Sequence, residues 1–481
     1  MAVPFKTGGR RCRSVGGMST VRSWEPLNDA IAGELVLPGS PAYETARLPA
    51  IARFHDTRPA AVVRCAAPAD VAETIRFARL SGVSAVPRSG GHCFAGHSST
   101  EGIVIDVTPM GSVSVSSGTA TVGAGARLDA VYDALERHDL TIPGGCGPTV
   151  GIAGLTLGGG LGILGRTHGV TADSLLAAQV VLADGRAVDC DEHHHQELFW
   201  ALRGAGAGNF GVVTSLVFRT LSAPAATSFH LVWPHTHAAA VLDPWQRWAP
   251  DAPDELAASL LLTAAADPER PPVVNVFGAM LGSQADTTML LEELVVRAGA
   301  DPTSTVLVHR SYRATKRHLA EHGPGEERPG AHPYSKSEFF PRPLPTDAVA
   351  ALLEHFNAGR VAGQSRELDF TPWGGAYNRV PADATAFVHR DARFLLKQAA
   401  VVGPDADGAQ RRAARSWLAE SWALVHPWGT GGAYQNFPDP DLDDWAHAYY
   451  GDNLDRLVRV KARYDPGDFF RFAQSLRAGG E

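Results

Sequence analysis

The stretch "RSGGHCFAGHSS", residues 88–99, follows a short apolar run and places two glycines directly before a histidine. Backbone N–H groups in such a glycine-rich turn can line a concave nest that binds a diphosphate. A metal site formed by His92, Cys93 and His97 is disfavoured, because no matching carboxylate or second histidine pair lies nearby. Two interpretations of His92 stay open on spacing alone: it caps a loop, or it bonds covalently to a flavin whose diphosphate the turn holds.

The segments around this turn alternate between strand and helix patterns. Apolar residues recur at helical spacing in 68–82, which predicts a helix that ends near Gly82. A hairpin that turns at Ser117-Gly118 and a second that turns at Asp184-Gly185 are also predicted. Further strands are predicted at 61–66, 83–91, 102–107 and 208–220, and further helices at 128–139 and 197–206.

The segment "IPGGCGPTVGIAGLTLGGGLGILGRTHGV", residues 142–170, is the most glycine-dense part of the chain. It carries no charge before Arg166, so it is not a solvated linker, and glycine at this density indicates close backbone approach. Residues 160–165 match the dinucleotide fingerprint G-x-G-x-x-G. That fingerprint needs a preceding strand, a helix that begins at it and an acidic residue about 20 positions later. The context here differs, and the match is interpreted as a decoy within the longer run.

Composition limits the classes of function. The chain has 481 residues, 44% of them hydrophobic, and a formal net charge of −8. The negative charge and the lack of basic runs argue against a nucleic-acid partner, and no stretch reaches the ~20 apolar residues of a membrane span. Five scattered cysteines without a C-x-x-C pair favour a reducing cytoplasm. The histidines of "DEHHHQE", 191–197, are interpreted as a solvated loop, so no metal is expected, and the oligomeric state is not indicated.

The pattern changes near "SAPAATS", residues 222–228, which indicates a domain boundary. Beyond it, strand-like and helical segments alternate, and together the two halves predict an α+β protein with two domains. We expect residues 1–40 to form a flexible leader and residues 321–345 to form a long surface loop. In this half, strands are predicted at 229–234, 272–281, 304–311 and 392–402, and helices at 283–298, 346–358 and 409–425.

Several motifs together resemble the berberine bridge enzyme-like FAD-linked oxidases, which have an FAD-binding fold of the p-cresol methylhydroxylase (PCMH) and vanillyl-alcohol oxidase type. Besides the two stretches above, they include "LFWALRGAGAGNFGVVTSLVF" at 198–218, "YQNFPD" at 434–439 and "YGDNLDRLVRVKARYDPGDFF" at 450–470. The resemblance implies an FAD-binding domain at 41–222 and a substrate domain at 223–432, built on an antiparallel sheet covered by helices. It also implies that the segment 433–481 returns to the FAD domain.

The resemblance further implies that FAD is attached through His92. Other implied cofactor-binding residues are Arg88, Ser89, Gly90, Gly91, Cys93, Gly96, His97, Ser98, Gly147, Val150, Gly151, Gly154, Gly158, Gly159, Gly162, Asn209, Gly211, Val212, Asn436 and Asn453. Many family members have a second link from a cysteine directly before P-x-V-G. Here Gly147 occupies that place and Cys146 lies one residue earlier. A shift by one residue can turn a side chain to the opposite side of an extended segment, so a single link through His92 is favoured.

The implied activity is oxidation of a hydroxyl, or of an amine or activated C–H, in a mid-sized natural product or carbohydrate. Hydride passes to the flavin, and O2 reoxidises it to give H2O2. Tyr434 is the leading candidate for the base, which requires a pKa below the usual value of about 10, or else it forms a wall beside the flavin. Trp373 and Tyr377 either face the substrate or belong to the core. A dehydrogenase with another acceptor, a cyclase or isomerase without net oxidation, and a non-catalytic binding protein remain alternatives.

Overall fold

The computed structural model describes residues 21–322 and 330–479 of the chain. The helix predicted over 68–82 is confirmed as Pro68–Ser81, and its Val71 and Ile75 are fully buried. It ends at Gly82, whose φ of 64° is the left-handed conformation that glycine adopts without strain. The hairpin at Ser117-Gly118 is confirmed as well.

The first half of the chain forms two main sheets. Its strands are β1 (Glu34–Val36), β2 (Ala61–Arg64), β3 (Ala85–Arg88), β4 (Ile103–Asp106), β5 (Val113–Ser116), β6 (Thr119–Gly123), β7 (Leu140–Thr141), β8 (Leu175–Val181), β9 (Ala187–Asp191), β10 (Val212–Arg219) and β11 (Leu221–Ser222). Its helices are α1 (Glu25–Ala30), α2 (Tyr43–Ala46), α3 (Pro68–Ser81), α4 (Leu128–Glu136), α5 (Ile152–Leu157), α6 (Gly165–His168) and α7 (Gln196–Leu202). One sheet has the order β1-β2-β4-β3 and contains parallel pairs, and the other, β5-β6-β10-β8-β9, is antiparallel.

The second half forms one antiparallel sheet of seven strands, in the order β15-β12-β14-β13-β17-β18-β16. Its strands are β12 (Ala226–Pro234), β13 (Leu256–Ala264), β14 (Val273–Met280), β15 (Ser304–Arg310), β16 (His332–Phe340), β17 (Gln364–Pro372) and β18 (Phe394–Val402). Its helices are α8 (Ala238–Asp251), α9 (Gln284–Ala298), α10 (Tyr312–His322), α11 (Thr346–Asn357), α12 (Ala376–Arg379) and α13 (Gly408–Val425). Helices α8, α9, α11 and α13 cover one face of this sheet and share its apolar core. On the other face, Phe339 and Leu395 pack against Val170 of the first half.

Two predictions about irregular segments are wrong in part. Within the expected leader, residues 1–20 lie outside the described residues, but β1 pairs with β2 and the Asp70 carboxylate accepts hydrogen bonds from the N–H groups of Ala32 and Gly33. Within the expected loop 321–345, residues 323–329 lie outside the described residues and β16 occupies 332–340. The strand was not predicted because its sequence is polar. Its charged residues are buried against partners that are distant in the sequence, as Lys336 is against Asp439 at 2.5 Å.

The last part of the chain contains α14 (Trp445–Tyr450) and α15 (Leu454–Tyr464) and packs on the first half. The fully buried Lys461 donates to the carbonyl of Asn209 at 2.7 Å and pairs with Asp465 at 2.7 Å. The hydroxyl of Tyr450 donates to the carbonyl of Ala205 at 2.8 Å. Among the helices within 21–322 and 330–479, none is both long and apolar enough to cross a bilayer.

Candidate active site

A cavity of about 470 Å³ opens where the glycine-rich turn, the glycine-dense segment and the C-terminal segment meet. Its volume is in the range of about 300–1,000 Å³ that is typical of ligand sites. The predicted site residues that line it are Arg88, Ser89, Gly90, Gly91, His92, Cys93, His97, Ser98, Cys146, Gly147, Val150, Gly151, Gly154, Asn209, Gly211, Val212, Tyr434 and Asn436. The fold therefore gathers four separated stretches of sequence around one cavity.

The two glycine-rich segments touch each other at the cavity. A Cβ atom on Gly90 would lie 2.3 Å from the amide nitrogen of Gly151, and a Cβ atom on Gly151 would lie 2.3 Å from that of Gly90. The hydroxyl of Ser89 donates to the carbonyl of Ala124 at 2.7 Å, which fixes the turn. Glycine is required at both contact positions, because backbone cannot move aside as a flexible side chain can.

Four of the predicted glycines do not line the cavity: Gly96, Gly158, Gly159 and Gly162. They instead let other groups approach the backbone closely. A Cβ atom on Gly158 would lie 2.1 Å from the side-chain oxygen of Asn436, and one on Gly162 would lie 1.9 Å from the carbonyl oxygen of Gly144. The glycine signal in the sequence thus has two causes: within 142–170, the glycines from 145 to 154 line the cavity and those from 158 to 162 allow tight internal packing.

His92 is held at the cavity wall by a residue of the glycine-dense segment. Its Nε2 atom lies 2.9 Å from the hydroxyl oxygen of Thr149, a hydrogen bond whose direction depends on the tautomer. The imidazole is partly exposed and faces the same space as Gly91 and Cys93. The contact with Thr149 fixes the orientation of the ring with respect to the cavity.

Arg88 braces the turn rather than offering its charge to a ligand. Its guanidinium donates to the carbonyl oxygens of Ser98 at 3.0 Å, Arg47 at 2.9 Å and Ala46 at 3.1 Å. Burial lowers the pKa of Arg88 to about 10, so the group is still charged at neutral pH. Its hydrogen bonds tie the two ends of residues 88–98 together.

The polar atoms at the cavity wall fit a dinucleotide such as FAD. The hydroxyl of Ser98 and the side-chain oxygen of Gln435 are buried there with no hydrogen-bond partner among the described residues. The ring of His97 contacts that of Phe472 in a tilted arrangement with 4.5 Å between ring centres, and burial lowers the pKa of His97 to about 4. A neutral imidazole ring, polar atoms without a hydrogen-bond partner and a wall of glycine backbone suit a ligand that has both aromatic rings and phosphates.

Tyr434 has the opposite pKa shift from the one that the base hypothesis requires. Its hydroxyl accepts hydrogen bonds from the N–H of Gly160 at 3.0 Å and the amide of Asn436 at 2.9 Å. Burial nevertheless raises the pKa of Tyr434 to about 12. At neutral pH the phenol therefore stays protonated, and in this structure Tyr434 forms a wall of the cavity.

Three other predicted site residues lie away from the cavity. Trp373 and Tyr377 are buried and stack on each other with 4.0 Å between ring centres, and the Tyr377 hydroxyl donates to the carbonyl of Gly162 at 3.2 Å. Both belong to the aromatic core between the two halves. Asn453 donates to the carbonyls of the 382–385 loop, so it supports that loop instead of facing the cavity.

An acidic and a basic side chain that were not predicted from the sequence lie next to each other on the sheet face beside the cavity. Asp369 of β17 and Lys397 of β18 are direct partners in the sheet register. The Lys397 ammonium lies 5.3 Å from the ring centre of Phe437 and 5.8 Å from that of Phe94, both of which line the cavity. Burial raises the pKa of Asp369 to about 6, although the charge of Lys397 opposes this. The available signal was Lys397 within the largely apolar run of β18, whereas β17 also contains Arg366 and Glu367, so Asp369 does not stand out in its sequence.

Cys146 lies at the edge of the cavity, and its side chain packs against an apolar cluster that includes Ala279 and Leu319 of the second half.

In the exposed "DEHHHQE" loop, the His194 ring forms a hydrogen bond with the Asp191 carboxylate at 3.0 Å. Within the part of the chain that the structure describes, no three His, Cys, Asp or Glu side chains are grouped to hold a metal ion.

Comparison with known proteins gives consistent results. A family model described as an FAD binding domain matches residues 59–191, and one described as berberine and berberine like matches 433–477. The uncharacterized FAD-linked oxidoreductase YgaK of Bacillus subtilis is 32% identical over 93% of this chain and 97% of its own. Chitooligosaccharide oxidase of Gibberella zeae is 30% identical over 87% of each chain. The structure of Physcomitrella patens BBE-like 1 superposes with a TM-score of 0.84 at 29% identity, covering 94% of this chain and 98% of that one, which confirms the predicted α+β fold of the PCMH type.

Proposed function

Because the chain belongs to the berberine bridge enzyme-like family of FAD-linked oxidoreductases, we propose that it carries FAD covalently on His92 and oxidises a hydroxyl group of a small molecule. The position of His92 carries this proposal. It follows the Gly90-Gly91 turn on the wall of a cavity that fits a dinucleotide, and Thr149 orients its ring at 2.9 Å. Bound FAD supplies the redox chemistry, since it accepts a hydride from a donor C–H and passes the electrons on to O2.

The link is proposed to be single. The Cys146 side chain packs with Ala279 and Leu319. A thiol held in that cluster is directed toward the second half of the molecule, whereas His92 stands at the turn that contacts Gly151. These contacts support attachment through His92 alone.

The proton of the substrate hydroxyl is proposed to pass to Asp369. A general base works best when its pKa lies near the operating pH, and a pKa of about 6 leaves this carboxyl ionised at neutral pH. Lys397, its partner across the strands, stabilises the ionised form and stands near the cavity rim. Tyr434 would then orient the substrate and exclude water without losing its proton.

The substrate is proposed to be a carbohydrate or a hydroxylated natural product, with O2 as the electron acceptor. Support comes from the relative named chitooligosaccharide oxidase, which matches 87% of this chain. The sheet face that would receive the substrate carries hydrogen-bonding side chains, among them His230 and Asn275, joined at 2.9 Å. Polar groups of this kind suit a substrate with several hydroxyls.

The covalent link is tested by denaturing electrophoresis with in-gel flavin fluorescence. Wild-type protein and Cys146→Ala, the matched control at the other candidate position, are expected to give a fluorescent band. His92→Ala is expected to give none, because FAD held without the bond is lost on denaturation. A fluorescent His92→Ala band, or a dark Cys146→Ala band, would show that the proposed attachment is wrong.

The acceptor and substrate class are tested on the same wild-type protein. An anaerobic panel of mono- and oligosaccharides should include compounds that bleach the flavin absorbance, and admitting O2 should restore it with formation of H2O2. Bleaching without rapid recovery in O2 would favour a dehydrogenase. Product formation without any bleaching would favour a cyclase or isomerase.

A further inference from the structure

Helix α10 of the second half carries a buried lysine into the contact with the first half. Lys316 is only 1% exposed. Its ammonium donates to the hydroxyl of Tyr132 at 3.0 Å, to the carbonyl of Gly145 at 2.9 Å and to the carbonyl of Gly144. It lies 4.3 Å from the ring centre of Tyr132 and 5.3 Å from that of Tyr312. All three N–H groups of the ammonium therefore have an acceptor.

Within 21–322 and 330–479, no carboxylate neutralises the positive charge of Lys316. No ion pair among the described residues includes Lys316. Asp129 and Asp133 of α4 pair instead with Arg313, and Asp133 also pairs with Arg317 at 2.9 Å. A buried charge without an opposite partner is less favourable for folding than an apolar side chain of similar size. Because the arginines already dock α10 on α4, docking alone does not account for the ammonium.

Of the two glycine carbonyl groups that Lys316 holds, that of Gly145 belongs to a residue that lines the FAD cavity, and that of Gly144 directly precedes it. Gly145 and Cys146 line that cavity, so a single peptide group separates the ammonium from the space that the cofactor would fill. A Cβ atom on Gly144 would meet the hydroxyl of Tyr132 at 2.6 Å, which leaves this wall little freedom to move. Lys316 of the second half thus fixes the position of a cavity wall formed by the first half and places a positive charge behind it.

We propose that Lys316 is a positioning residue for FAD: it fixes the 144–145 wall and, through its positive charge, raises the reduction potential of the flavin. This inference rests on the proposed function, in which FAD occupies the cavity. Uptake of two electrons and one proton adds one negative charge to a flavin, and a nearby positive charge stabilises the reduced form.

Raising the pH removes the positive charge of Lys316 without any substitution in the protein. Burial lowers the pKa of Lys316 to about 8. The groups that face it are Tyr132 from α4, Tyr312 and Arg313 from α10, and Cys146 from the cavity wall. Burial raises the pKa of both tyrosines well above their usual value, so they stay neutral, and Arg313 stays charged. A Cys146→Ser variant replaces the thiol that faces the ammonium, so that any pH dependence that remains does not come from Cys146.

The test measures the ratio of reduced to oxidised flavin, from its absorbance, against a dye of known potential in the absence of substrate. In Lys316→Met near pH 6 the ratio at a fixed potential should fall about tenfold, the effect of one unit charge ~10 Å away at an effective dielectric constant of about 20. Arg317→Met is the matched control, since it removes a largely exposed charge one residue further along the helix. Its ratio should stay within about twofold of wild type.

In wild-type protein and in Cys146→Ser, the potential should show an extra downward bend near pH 8, which Lys316→Met should lack. An unchanged ratio in Lys316→Met, or an equal fall in Arg317→Met, would overturn the inference. If Lys316→Met does not fold, the titration of Cys146→Ser decides, and the absence of a bend would overturn the inference as well. Wild-type protein that is purified without flavin would contradict the proposed function instead.

Discussion

Replacing Asp369 with asparagine removes the proposed base and preserves the size of the side chain. With a pKa of about 6, the carboxyl is about 90% ionised at pH 7, so nearly the full contribution of the base is present there. General base catalysis contributes about 10²–10⁴-fold to a rate. We therefore expect the rate constant of flavin reduction by substrate at pH 7 to fall by about 10²–10⁴-fold in Asp369→Asn.

The pH profile gives the more specific signature. In wild-type protein the rate should rise about tenfold per pH unit up to about pH 6 and level off above it, because only the ionised carboxylate accepts the proton. Asp369→Asn should lack this limb. Anaerobic stopped-flow absorbance measures flavin reduction directly and separates it from reoxidation by O2.

Two neighbouring charges provide matched controls. The negative charge of Glu367 raises the pKa of Asp369 and the positive charge of Lys397 lowers it. Glu367→Gln should therefore move the pH-dependent rise of the rate to lower pH, and Lys397→Met should move this rise to higher pH. The reasoning is refuted if Asp369→Asn keeps both the rate and the limb and Tyr434→Phe loses them, which would return the base to Tyr434.

Three further predictions concern the glycine contact at the cavity wall and two buried side chains, Arg390 and Tyr377. Gly90→Ala would place a Cβ atom 2.3 Å from the amide nitrogen of Gly151, so we expect a loss of about 1–3 kcal/mol in the free energy of unfolding and little retained flavin, measured by denaturation and absorbance. Arg390→Met should lower stability in urea by about 3–5 kcal/mol, because Asp173, paired with Arg390 at 2.7 Å, would stay buried and unpaired; a loss below about 1 kcal/mol would contradict this. Tyr377→Phe should lower stability by about 1–3 kcal/mol and leave the rate of flavin reduction unchanged, and a large fall in rate would place Tyr377 at the substrate.

Local signals in the sequence predicted many of the regular elements, but α8, α10, β13 and β17 were not predicted. The helix at Pro68–Ser81 has a buried stripe at helical spacing and a glycine at its end, and both features are local. β16 was missed because its polar residues are buried by partners far away in the sequence: Lys336 pairs with Asp439, and Glu338 with His426 at 2.9 Å. A strand whose burial depends on distant residues has no apolar alternation to reveal it.

The part of the candidate site that depends on close backbone contacts could be predicted from the sequence. The part that depends on the register of paired strands could not. Glycine density located the contact between Gly90 and Gly151, although it did not tell a cavity wall from tight packing such as that of Gly162 on Gly144. Asp369 and Lys397 are neighbours only because β17 and β18 pair in one particular register. A single sequence does not specify that register, since a shift by one residue would turn both side chains to the opposite face.

The charges around the cavity divide the chemistry between the two halves. In the first half, the guanidinium of Arg88 donates its hydrogen bonds to carbonyl groups, and burial keeps His97 neutral. Backbone N–H groups and hydroxyls are therefore the groups that would bind the phosphates of FAD. The groups that we propose to move a proton or to shift the reduction potential, Asp369, Lys397 and Lys316, all come from the second half. Substitutions on the seven-stranded sheet are therefore expected to change substrate and rate without disturbing the turn that is proposed to retain FAD. The exception is Lys316, because its hydrogen bonds to Gly144 and Gly145 make the cofactor wall depend on the docking of α10.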